Sequence, residues 1–325
     1  MDEQHALFQK QFTTDLVVER GELLQQKNHT LVCGMGGSHL SAWLLKNYGG
    51  KTELGIHRDY GLPTYMNNSD LYVPQETLVI LSSYSGTTEE ILDAGSVALE
   101  RGCTLAAITT GGTLADFARE HNIPLVIIPE VGLEPRLALG FGMRALSRVL
   151  QDESLETSII DAGMMEGLFP DPNQVDVIAT HFRNHIPLVW ASQTNAILAY
   201  IWKVNLNETS KTPAFIDMCP ELCHNELCGF DVYNGTRAIS EQIATLLLTD
   251  TQDHPRVQKR MYIANDMLSE RQLPVYIHAL AGTGFEKVFR SALLTDSVAR
   301  ALAVGYEVPF PQTPLIAEFK HRMAQ

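Results

Sequence analysis

Short runs of consecutive apolar residues recur through the first half of the chain, separated by longer stretches with helical spacing. Four runs stand out, at residues 30–33, 77–81, 104–108 and 124–128. Apolar runs of this length, without polar alternation, are typical of strands covered on both faces of a sheet. The first half therefore predicts a sheet of buried, parallel strands.

Apolar side chains at three- and four-residue intervals fill the spaces before and between these strands. The predicted helices cover residues 7–24, 40–48, 88–101, 114–121 and 135–150. Regular alternation of strand and helix is typical of a doubly wound parallel sheet. The first half is therefore predicted to form one α/β domain.

The second half shows the same alternation less cleanly. The predicted strands are residues 186–190, 243–248 and 274–277, and the predicted helices are residues 193–205, 255–270, 286–304 and 312–323. Thr313 and Pro314 suit the N-cap and the first position of the last helix. An acidic, irregular stretch at residues 151–172 is interpreted as a crossover or linker, so the predicted domains are residues 1–152 and 153–325.

Length, composition and charge fit two globular domains. The chain has 325 residues, of which 45% are hydrophobic and 19% charged, enough for two cores. Its net charge of −14 argues against a nucleic-acid partner or an anionic membrane, since both recruit clustered Lys and Arg.

The acidic start and the lack of a membrane-length apolar run predict a cytoplasmic protein. Five cysteines, an odd number, suit reduced thiols.

A glycine-rich turn follows the first predicted strand. Gly34-Met-Gly-Gly-Ser38 ends that strand and opens the next helix. Glycines permit positive φ and a close approach of backbone N–H groups to an anion, and a helix N-terminus attracts negative charge. The alternative is a tight turn without a ligand, because the segment matches neither the GxGxxG nor the P-loop pattern.

A hydroxyl-rich turn follows the second predicted strand. It carries a glycine, Gly86, and four hydroxyl side chains: Ser83, Ser85, Thr87 and Thr88. Hydroxyls and helix N–H groups together can donate several hydrogen bonds to a phosphate without a lysine. The alternative is a capping box formed by one hydroxyl and a glutamate of the next turn. Because ligands bind at the carboxyl ends of parallel strands, the two turns together favour one anion site.

These motifs resemble the sugar isomerase (SIS) domain and, more narrowly, the bifunctional phosphoglucose/phosphomannose isomerase family. The resemblance is carried in chain order by Gly34-Met-Gly-Gly-Ser38, Ser83-Tyr-Ser-Gly-Thr-Thr88, Pro135-Arg136, Asn205-Leu-Asn-Glu208, Pro220-Glu-Leu-Cys-His-Asn225 and Thr313-Pro314 with Lys320. It covers nearly the whole chain. It implies an α/β protein of two flavodoxin-like SIS domains, each a doubly wound parallel sheet, with a C-terminal helix.

The resemblance implies reversible isomerisation between fructose 6-phosphate and glucose 6-phosphate, with mannose 6-phosphate as a second substrate. Glu208 is then the base that moves a proton between C1 and C2 through a cis-enediol. His224 assists ring opening, Lys320 contacts the ring oxygen or a nearby hydroxyl, and Arg136 lies over the intermediate. Thr313 helps to accommodate both C2 epimers.

The same resemblance assigns phosphate binding to the two turns. The implied ligands are Gly36, Gly37, Ser38, Ser83, Ser85 and Thr88. The resemblance also implies that no metal or cofactor is needed. The implied assembly is a homodimer whose active sites lie between the SIS domains and borrow the histidine from the other subunit.

The chain departs from the family pattern at two positions near the implied phosphate ligands. His39 replaces a small residue, and Thr87 replaces an asparagine. Both substitutions bear on the breadth of substrates. An isomerase of an amino- or acetamido-sugar phosphate therefore stays open as an alternative, and so does a non-catalytic sugar-phosphate sensor.

The candidate catalytic residues also have ordinary interpretations. Glu208 could be an exposed carboxylate at a helix end, and Lys320 a solvated side chain of the last helix. His224 could be a half-buried histidine with satisfied hydrogen bonds. Arg136 is different, because a cation at a helix start opposes the helix dipole and so favours a ligand or a fixed partner.

A cluster of soft ligands in the second half suggests a competing metal site. Its members are Cys219, Cys223, His224 and Cys228, which could bind zinc through three thiolates and one imidazole. The spacing lacks a CxxC pair, and His224 directly follows Cys223, so convergence on one ion is awkward. A catalytic His224 would also exclude it from zinc ligation.

Overall fold

Each half of the chain builds its own sheet and packs helices against it. The computed structural model describes residues 3–67, 73–310 and 312–323. The first unit runs from Met1 to Glu166 and the second from Gly167 to Gln325. The division therefore falls beyond the boundary expected near residue 152.

The first unit alternates strands and helices. Its helices are α1 (Glu3–Thr13), α2 (Gly37–Tyr48), α3 (Glu89–Glu100), α4 (Gly112–Glu120), α5 (Leu139–Val149) and α6 (Glu153–Gly163). Its strands are β1 (Val17–Glu19), β2 (His29–Gly34), β3 (Gly55–His57), β4 (Thr77–Ser82), β5 (Thr104–Thr109) and β6 (Leu125–Ile127).

The first sheet has the strand order β1-β6-β5-β4-β2-β3. β1 is antiparallel to β6, and the other pairings are parallel. Without β1, the strands follow the order 2-1-3-4-5, which is the flavodoxin-like arrangement. The predicted doubly wound sheet is confirmed, with an added strand, β3, whose three residues are too few to show a pattern.

The expected helix over residues 7–24 is wrong beyond Thr13, where α1 ends. Val17–Glu19 form β1 instead, since β-branched side chains suit an extended backbone that pairs with β6. The Arg119 guanidinium donates to the Glu19 carboxylate at 2.8 and 3.0 Å. These bonds hold the pKa of Glu19 below its usual value. Pairing with a distant strand therefore overrides the local helical spacing.

The stretch expected to be a crossover or linker contains a helix of the first unit, α6. Asp152 caps this helix by accepting a hydrogen bond from a first-turn backbone N–H at 2.9 Å. The buried Glu156 carboxylate accepts from Arg144 at 3.1 Å and from Arg148 at 2.6 Å, both on α5. Acidic residues that suggested solvent exposure thus serve as a cap and as an ion-pair partner, which is why the first unit extends past residue 152.

The second unit repeats the alternation. Its helices are α7 (Pro172–Phe182), α8 (Ala196–Glu208), α9 (Arg237–Ser240), α10 (Pro255–Glu270), α11 (Gly284–Gly305) and α12 (Pro314–Met323). Its strands are β7 (Ile186–Ser192), β8 (Phe215–Cys219), β9 (Ile243–Thr249) and β10 (Val275–Ala279).

The second sheet has the order β10-β9-β7-β8, and all of its pairings are parallel. This is the 2-1-3-4 part of the same flavodoxin-like arrangement. The sequence missed β8, because Asp217 interrupts its apolar run, and it missed α7. The predicted C-terminal helix is confirmed as α12. Within the ranges described above, no helix is both long enough and apolar enough to cross a membrane.

Buried polar groups gather at the carboxyl ends of β7 and β9, where the strand order of the second sheet reverses. Lys287 of α11 donates to the Asp250 carboxylate at 2.5 Å, and both side chains are 3% exposed. Asn195 donates to the same carboxylate at 3.0 Å. Burial pushes the pKa of Asp250 up, but hydrogen bonds from Lys287, a backbone N–H and Asn195 outweigh burial and leave this pKa below its usual value. The two buried charges thus depend on each other.

We expect Lys287→Met to lower the free energy of unfolding by about 3–5 kcal/mol, because it leaves the Asp250 carboxylate buried without its cation. Urea unfolding at neutral pH, followed by circular dichroism, measures the loss. The matched control is Arg237→Met, which removes a pair with Glu241 whose side chains are 44% and 47% exposed. The control should cost less than about 1 kcal/mol. Equal losses in the two variants would contradict a special role for the buried pair.

Candidate functional site

The glycine-rich and hydroxyl-rich turns meet at the carboxyl edge of the first sheet. β2 and β4 are parallel neighbours, and their last residues, Gly34 and Ser82, lie opposite each other in the pairing. β3 lies on one side of this pair and β5 on the other, so the strand order reverses here. Such a reversal opens a crevice in which α/β proteins bind ligands. The predicted position of both turns at one edge is confirmed.

Ser38 links the two turns. Its hydroxyl accepts a hydrogen bond from the Tyr84 backbone N–H at 3.0 Å, and its carbonyl accepts one from the Ser82 hydroxyl at 3.3 Å. α2 begins one residue earlier, at Gly37, so the helix N-terminus lies at the same edge. The positive end of a helix dipole is thereby added to the hydroxyl-rich turn.

Side chains within the hydroxyl-rich turn hold its shape. The buried Ser83 hydroxyl accepts from the Gly86 backbone N–H at 3.1 Å and lies 2.7 Å from the Thr88 hydroxyl. Ser85 and Thr87 are exposed, with hydroxyl oxygens 3.1 Å apart. Thr88 is the N-cap residue of α3, but its side chain makes no capping hydrogen bond. The capping-box alternative is therefore wrong for this turn.

Gly86 is required where this turn passes the next strand–helix junction. Its φ is 68°, in the left-handed region that favours glycine. A Cβ at this position would lie 1.8 Å from the Gly111 carbonyl oxygen. Packing against a neighbouring backbone therefore explains this glycine without any ligand.

The Pro135-Arg136 segment lies against the glycine-rich turn. The helix expected from residue 135 begins only at Leu139, so both residues precede α5. A Cβ on Gly37 would lie 2.8 Å from the Pro135 carbonyl oxygen and 3.2 Å from the Arg136 nitrogen. Arg136 is 3% exposed. Since a guanidinium stays charged in proteins, the backbone next to this turn carries a buried, positively charged side chain.

A small cavity confirms that the three segments converge. Its volume is about 20 Å³, and its lining includes Gly37, Ser38, Ser82, Tyr84 and Pro135. This volume holds roughly one water molecule, and the serine hydroxyls offer it hydrogen bonds. The cavity thus lies between the turns, and a ligand larger than a water molecule would bind outside it.

His39 is buried in α2 and does not add a charge to the site. It is 1% exposed, and its ring stacks on Trp43 with centroids 6.1 Å apart. Burial, helped by the Arg58 charge, lowers the pKa of His39 to about 4. The imidazole is therefore neutral near pH 7, and the departure from the family pattern changes packing and not charge.

In the second unit, the end of α8 lies close to the segment before α12. Glu208 is the last residue of α8 and is half-buried. The Lys211 ammonium donates both to the Glu208 carbonyl and to the Gln312 carbonyl. Thr313 follows directly and is half-buried. The structure therefore brings the Glu208 and Thr313 regions together through one lysine.

His224 and Lys320 lie on separate exposed elements. His224 ends the short 3₁₀ helix Glu221–His224, which follows β8. Lys320 is in the last turn of α12. Exposure makes both side chains accessible to a ligand, and their catalytic roles stay predictions.

The suggested zinc ligands differ widely in burial. Cys219 is buried, Cys223 is intermediate and Cys228 is exposed. Burial, with Cys223 close by, raises the pKa of Cys219 to about 12, which disfavours the thiolate that zinc requires. In the part of the chain that the structure describes, no three His, Cys, Asp or Glu side chains are grouped to hold a metal. The zinc alternative therefore has no structural support.

Sequence reasoning missed the polar cluster at the equivalent edge of the second sheet. Asn195 follows β7, and Asp250 and Asp253 follow β9, just as the two turns follow β2 and β4. All three side chains are buried. The strand-end position was a signal that could have revealed them. Carboxylates here, in place of hydroxyls, make this edge unsuited to an anion.

Comparison with known proteins identifies a consistent family. Residues 172–323 match the bacterial phospho-glucose isomerase C-terminal SIS domain. The chain is 30% identical to the bifunctional phosphoglucose/phosphomannose isomerase of Caldicellulosiruptor bescii over 313 residues, covering 91% of this chain and 89% of that one. It is 31% identical to the protein of the same name from Aquifex aeolicus over 289 residues, covering 86% and 85%.

A solved structure confirms the fold. A hypothetical protein from Thermus thermophilus superimposes with a TM-score of 0.73, covering 99% of this chain and 87% of that one. The sequence identity is 16%, so this likeness concerns the arrangement of helices and strands.

We expect His39 to make the first unit less stable as the pH falls from 6.5 toward about 4, because the unfolded imidazole binds a proton in this range and the folded one does not. The loss should approach about 3 kcal/mol at full effect. Thermal unfolding between pH 4 and 8 should show a weaker acid dependence in His39→Leu. The comparison variant is His278→Leu in the second unit, where burial also lowers the pKa of a histidine to about 4. It should weaken the acid dependence of the second unit and leave that of the first unit unchanged. An unchanged slope in His39→Leu would refute the assignment.

Proposed function

The chain belongs to the bifunctional phosphoglucose/phosphomannose isomerase family, and we propose that it interconverts fructose 6-phosphate with glucose 6-phosphate and mannose 6-phosphate. One observation carries the proposal: the two turns and the Pro135-Arg136 segment meet at one edge of the first sheet. In a chain with a net charge of −14, this edge gathers hydroxyls, a helix N-terminus and a buried arginine. Those groups suit a phosphate.

We assign phosphate binding to Gly36, Gly37, Ser38, Ser85 and Thr88. The backbone of the two glycines lies at the start of α2, where N–H groups favour an anion. Exposure of the Ser85 hydroxyl supports a direct contact. The Ser83 hydroxyl is buried inside its own turn, so its contribution is to hold the turn in shape.

We assign proton transfer to Glu208. Its carboxylate takes the proton from C2 of the open-chain aldose, and the resulting enediolate is protonated at O1 to give a cis-enediol. The carboxylic acid then returns its proton to C1 while the O2 hydroxyl loses its own, which gives the ketose. Half-burial at the end of α8 supports this role, because the carboxylate is held at a helix end and stays accessible to a substrate. Arg136 supplies a permanent positive charge that stabilises the enediolate.

We assign ring opening to residues of the second unit. His224 moves protons between the ring oxygen and the C1 hydroxyl, since an imidazole can both donate and accept a proton. Lys320 contacts the ring oxygen or a neighbouring hydroxyl. Thr313, close to the end of α8, contacts the C2 region and tolerates both epimers. The shared Lys211 contact supports the pairing of Thr313 with Glu208.

The proposal extends to a cytoplasmic homodimer that needs neither metal nor cofactor and in which His224 acts in the partner's site. The family resemblance supports this assembly. All five cysteines are free thiols, which fits a reducing compartment.

Light scattering gives the oligomeric state. Mixed dimers of Glu208→Gln and His224→Ala subunits should regain activity if sites are shared.

The direct test is conversion of fructose 6-phosphate by purified, EDTA-treated protein, with glucose 6-phosphate and mannose 6-phosphate measured separately. Formation of both supports the bifunctional isomerase. The 2-amino and 2-acetamido sugar phosphates are assayed in parallel, because His39 and Thr87 lie beside the phosphate turns. Faster turnover of those substrates would overturn the proposal, and binding without any turnover would indicate a sensor.

We expect Glu208→Gln to lower kcat by about 10²- to 10⁴-fold with little change in KM, because an amide cannot accept the substrate proton. In deuterium oxide, the wild-type product should gain deuterium at the carbon that receives the proton. The control is Glu241→Gln, an exposed carboxylate in the same unit that should leave turnover unchanged. Near-full turnover by Glu208→Gln would exclude the mechanism.

A further inference from the structure

The segment that carries His224 has little regular structure of its own. It consists of two 3₁₀ helices, Glu221–His224 and Glu226–Phe230, joined at Asn225. Short 3₁₀ helices have poor hydrogen-bond geometry and do not persist alone. The position of His224 therefore depends on side chains that anchor this segment to the rest of the second unit.

Apolar anchors hold both ends of the segment. Leu222 is 0% exposed and Phe230 is 5% exposed, and both belong to the hydrophobic cluster that includes Trp190 of β7. The Phe230 ring packs edge-on against the Trp190 ring, with centroids 5.7 Å apart and planes at 87°. His224 lies between these anchors and is exposed. A polar contact close to His224 adds to these anchors.

Glu226 provides that contact two residues after His224. Its Oε1 accepts a hydrogen bond from the Trp190 indole Nε1 at 2.9 Å. Its carboxyl is also hydrogen-bonded to the side chain of Asp217 on β8. The Asp217 Oδ1 accepts from the Met218 backbone N–H at 2.7 Å. Glu226 therefore ties the segment to two strands of the second sheet.

Two carboxyl groups can hydrogen-bond only when one of them carries a proton. Burial, and then the bond to Asp217, raise the pKa of Glu226 to about 7, against the opposing effect of Trp190. The proton therefore belongs to Glu226, which donates to the Asp217 carboxylate.

We propose that neutral Glu226, hydrogen-bonded to Trp190 and Asp217, is a positioning residue for His224, and that its ionisation weakens the anchoring of the His224 segment. This inference rests on the proposed function, because Glu226 acts only through the histidine. Ionised Glu226 would face the Asp217 carboxylate without the shared proton. Repulsion between the two charges would then remove one of the ties to the sheet.

Several charged and titratable groups surround Glu226, and Asp217 is the one that is hydrogen-bonded to it. The segment itself carries Glu221, which accepts from Asn225 at 3.2 Å, together with Cys223, His224, Cys228 and Asp231. Arg260 of α10, which packs against β8, acts electrostatically on Cys219. Asp217 is the charged group that helps to raise the pKa of Glu226.

The protonation of Glu226 determines how the anchoring of the segment changes with pH. Folding favours the protonated form of Glu226, so the anchoring of the segment weakens as the pH rises through about 7. Glutamine at this position mimics the protonated acid, since its amide donates to Asp217 and its oxygen accepts from Trp190. Glu226→Gln should therefore hold the segment at every pH, whereas Glu226→Ala should lose both bonds.

A spectroscopic titration tests the pair without any need for activity. The chain has three tryptophans, so the ¹⁵N-labelled indole N–H signal of Trp190 can be assigned with Trp190→Phe. This signal should shift in wild type with a midpoint at about pH 7, the pKa of Glu226. The shift should disappear in Glu226→Gln and move to lower pH in Asp217→Asn. A wild-type signal that does not titrate would overturn the pair.

The activity test measures kcat for fructose 6-phosphate between about pH 6 and pH 9. Wild type should lose turnover as the pH rises, with the midpoint seen for Trp190, and Glu226→Gln should lose this decline. Glu226→Ala should lower kcat by about 10- to 100-fold with little change in KM, the cost of a misplaced catalytic group. The control is Glu221→Gln on the same segment, which should keep the wild-type profile.

The outcomes separate this inference from the proposed function. If the Trp190 signal titrates but the wild type has no isomerase activity, the proposed function is contradicted. The catalytic reason for positioning His224 is then lost as well. An active wild type whose alkaline decline survives in folded Glu226→Gln would overturn the positioning role alone. Should Glu226→Gln fail to fold, Asp217→Asn decides, since its decline must shift with its Trp190 signal.

Discussion

The parallel pairing of β2 with β4, which sets Gly34 opposite Ser82, is the constraint on which the candidate site depends. It places the turns that follow both strands at one edge of the sheet. Ser38 can then bond to the backbone of the second turn, and α2 can direct its N-terminus to the same crevice. Gly37 admits the Pro135-Arg136 segment, which a side chain would exclude. The groups proposed to bind a phosphate therefore come from distant parts of the chain.

The two sheets show how one arrangement of strands supports opposite chemistry. At the reversal point of the first sheet, hydroxyls and N–H groups are available for the proposed phosphate. At the corresponding point of the second sheet, the Asp250 carboxylate occupies the crevice and Lys287 neutralises it. The second sheet thus contains its own anion, and its donors bond to that carboxylate. Its contribution to the proposed reaction comes instead from the helix end at Glu208 and from the segment around His224.

Much of the fold could be predicted because its signals lie in contiguous residues. The helix expected over residues 255–270 has those bounds as α10, and the buried strands of the first sheet appear where apolar runs predicted them. The failures share a cause. β1 depends on pairing with β6, and α6 depends on the buried contact of Glu156 with two arginines of α5. Neither partner is visible in the local pattern.

The α/β class, the glycine-rich and hydroxyl-rich turns and the family could all be predicted from the amino-acid sequence, since each depends on contiguous residues or on short motifs in chain order. Which hydroxyls face solvent and which are internal became clear only in the folded chain, because Ser83 is engaged by Thr88 and Gly86. The same holds for the neutral state of His39 and for the meeting of Glu226 with Asp217 and Trp190. Burial and hydrogen-bond partners depend on distances between residues far apart in the chain, and no local spacing records those distances.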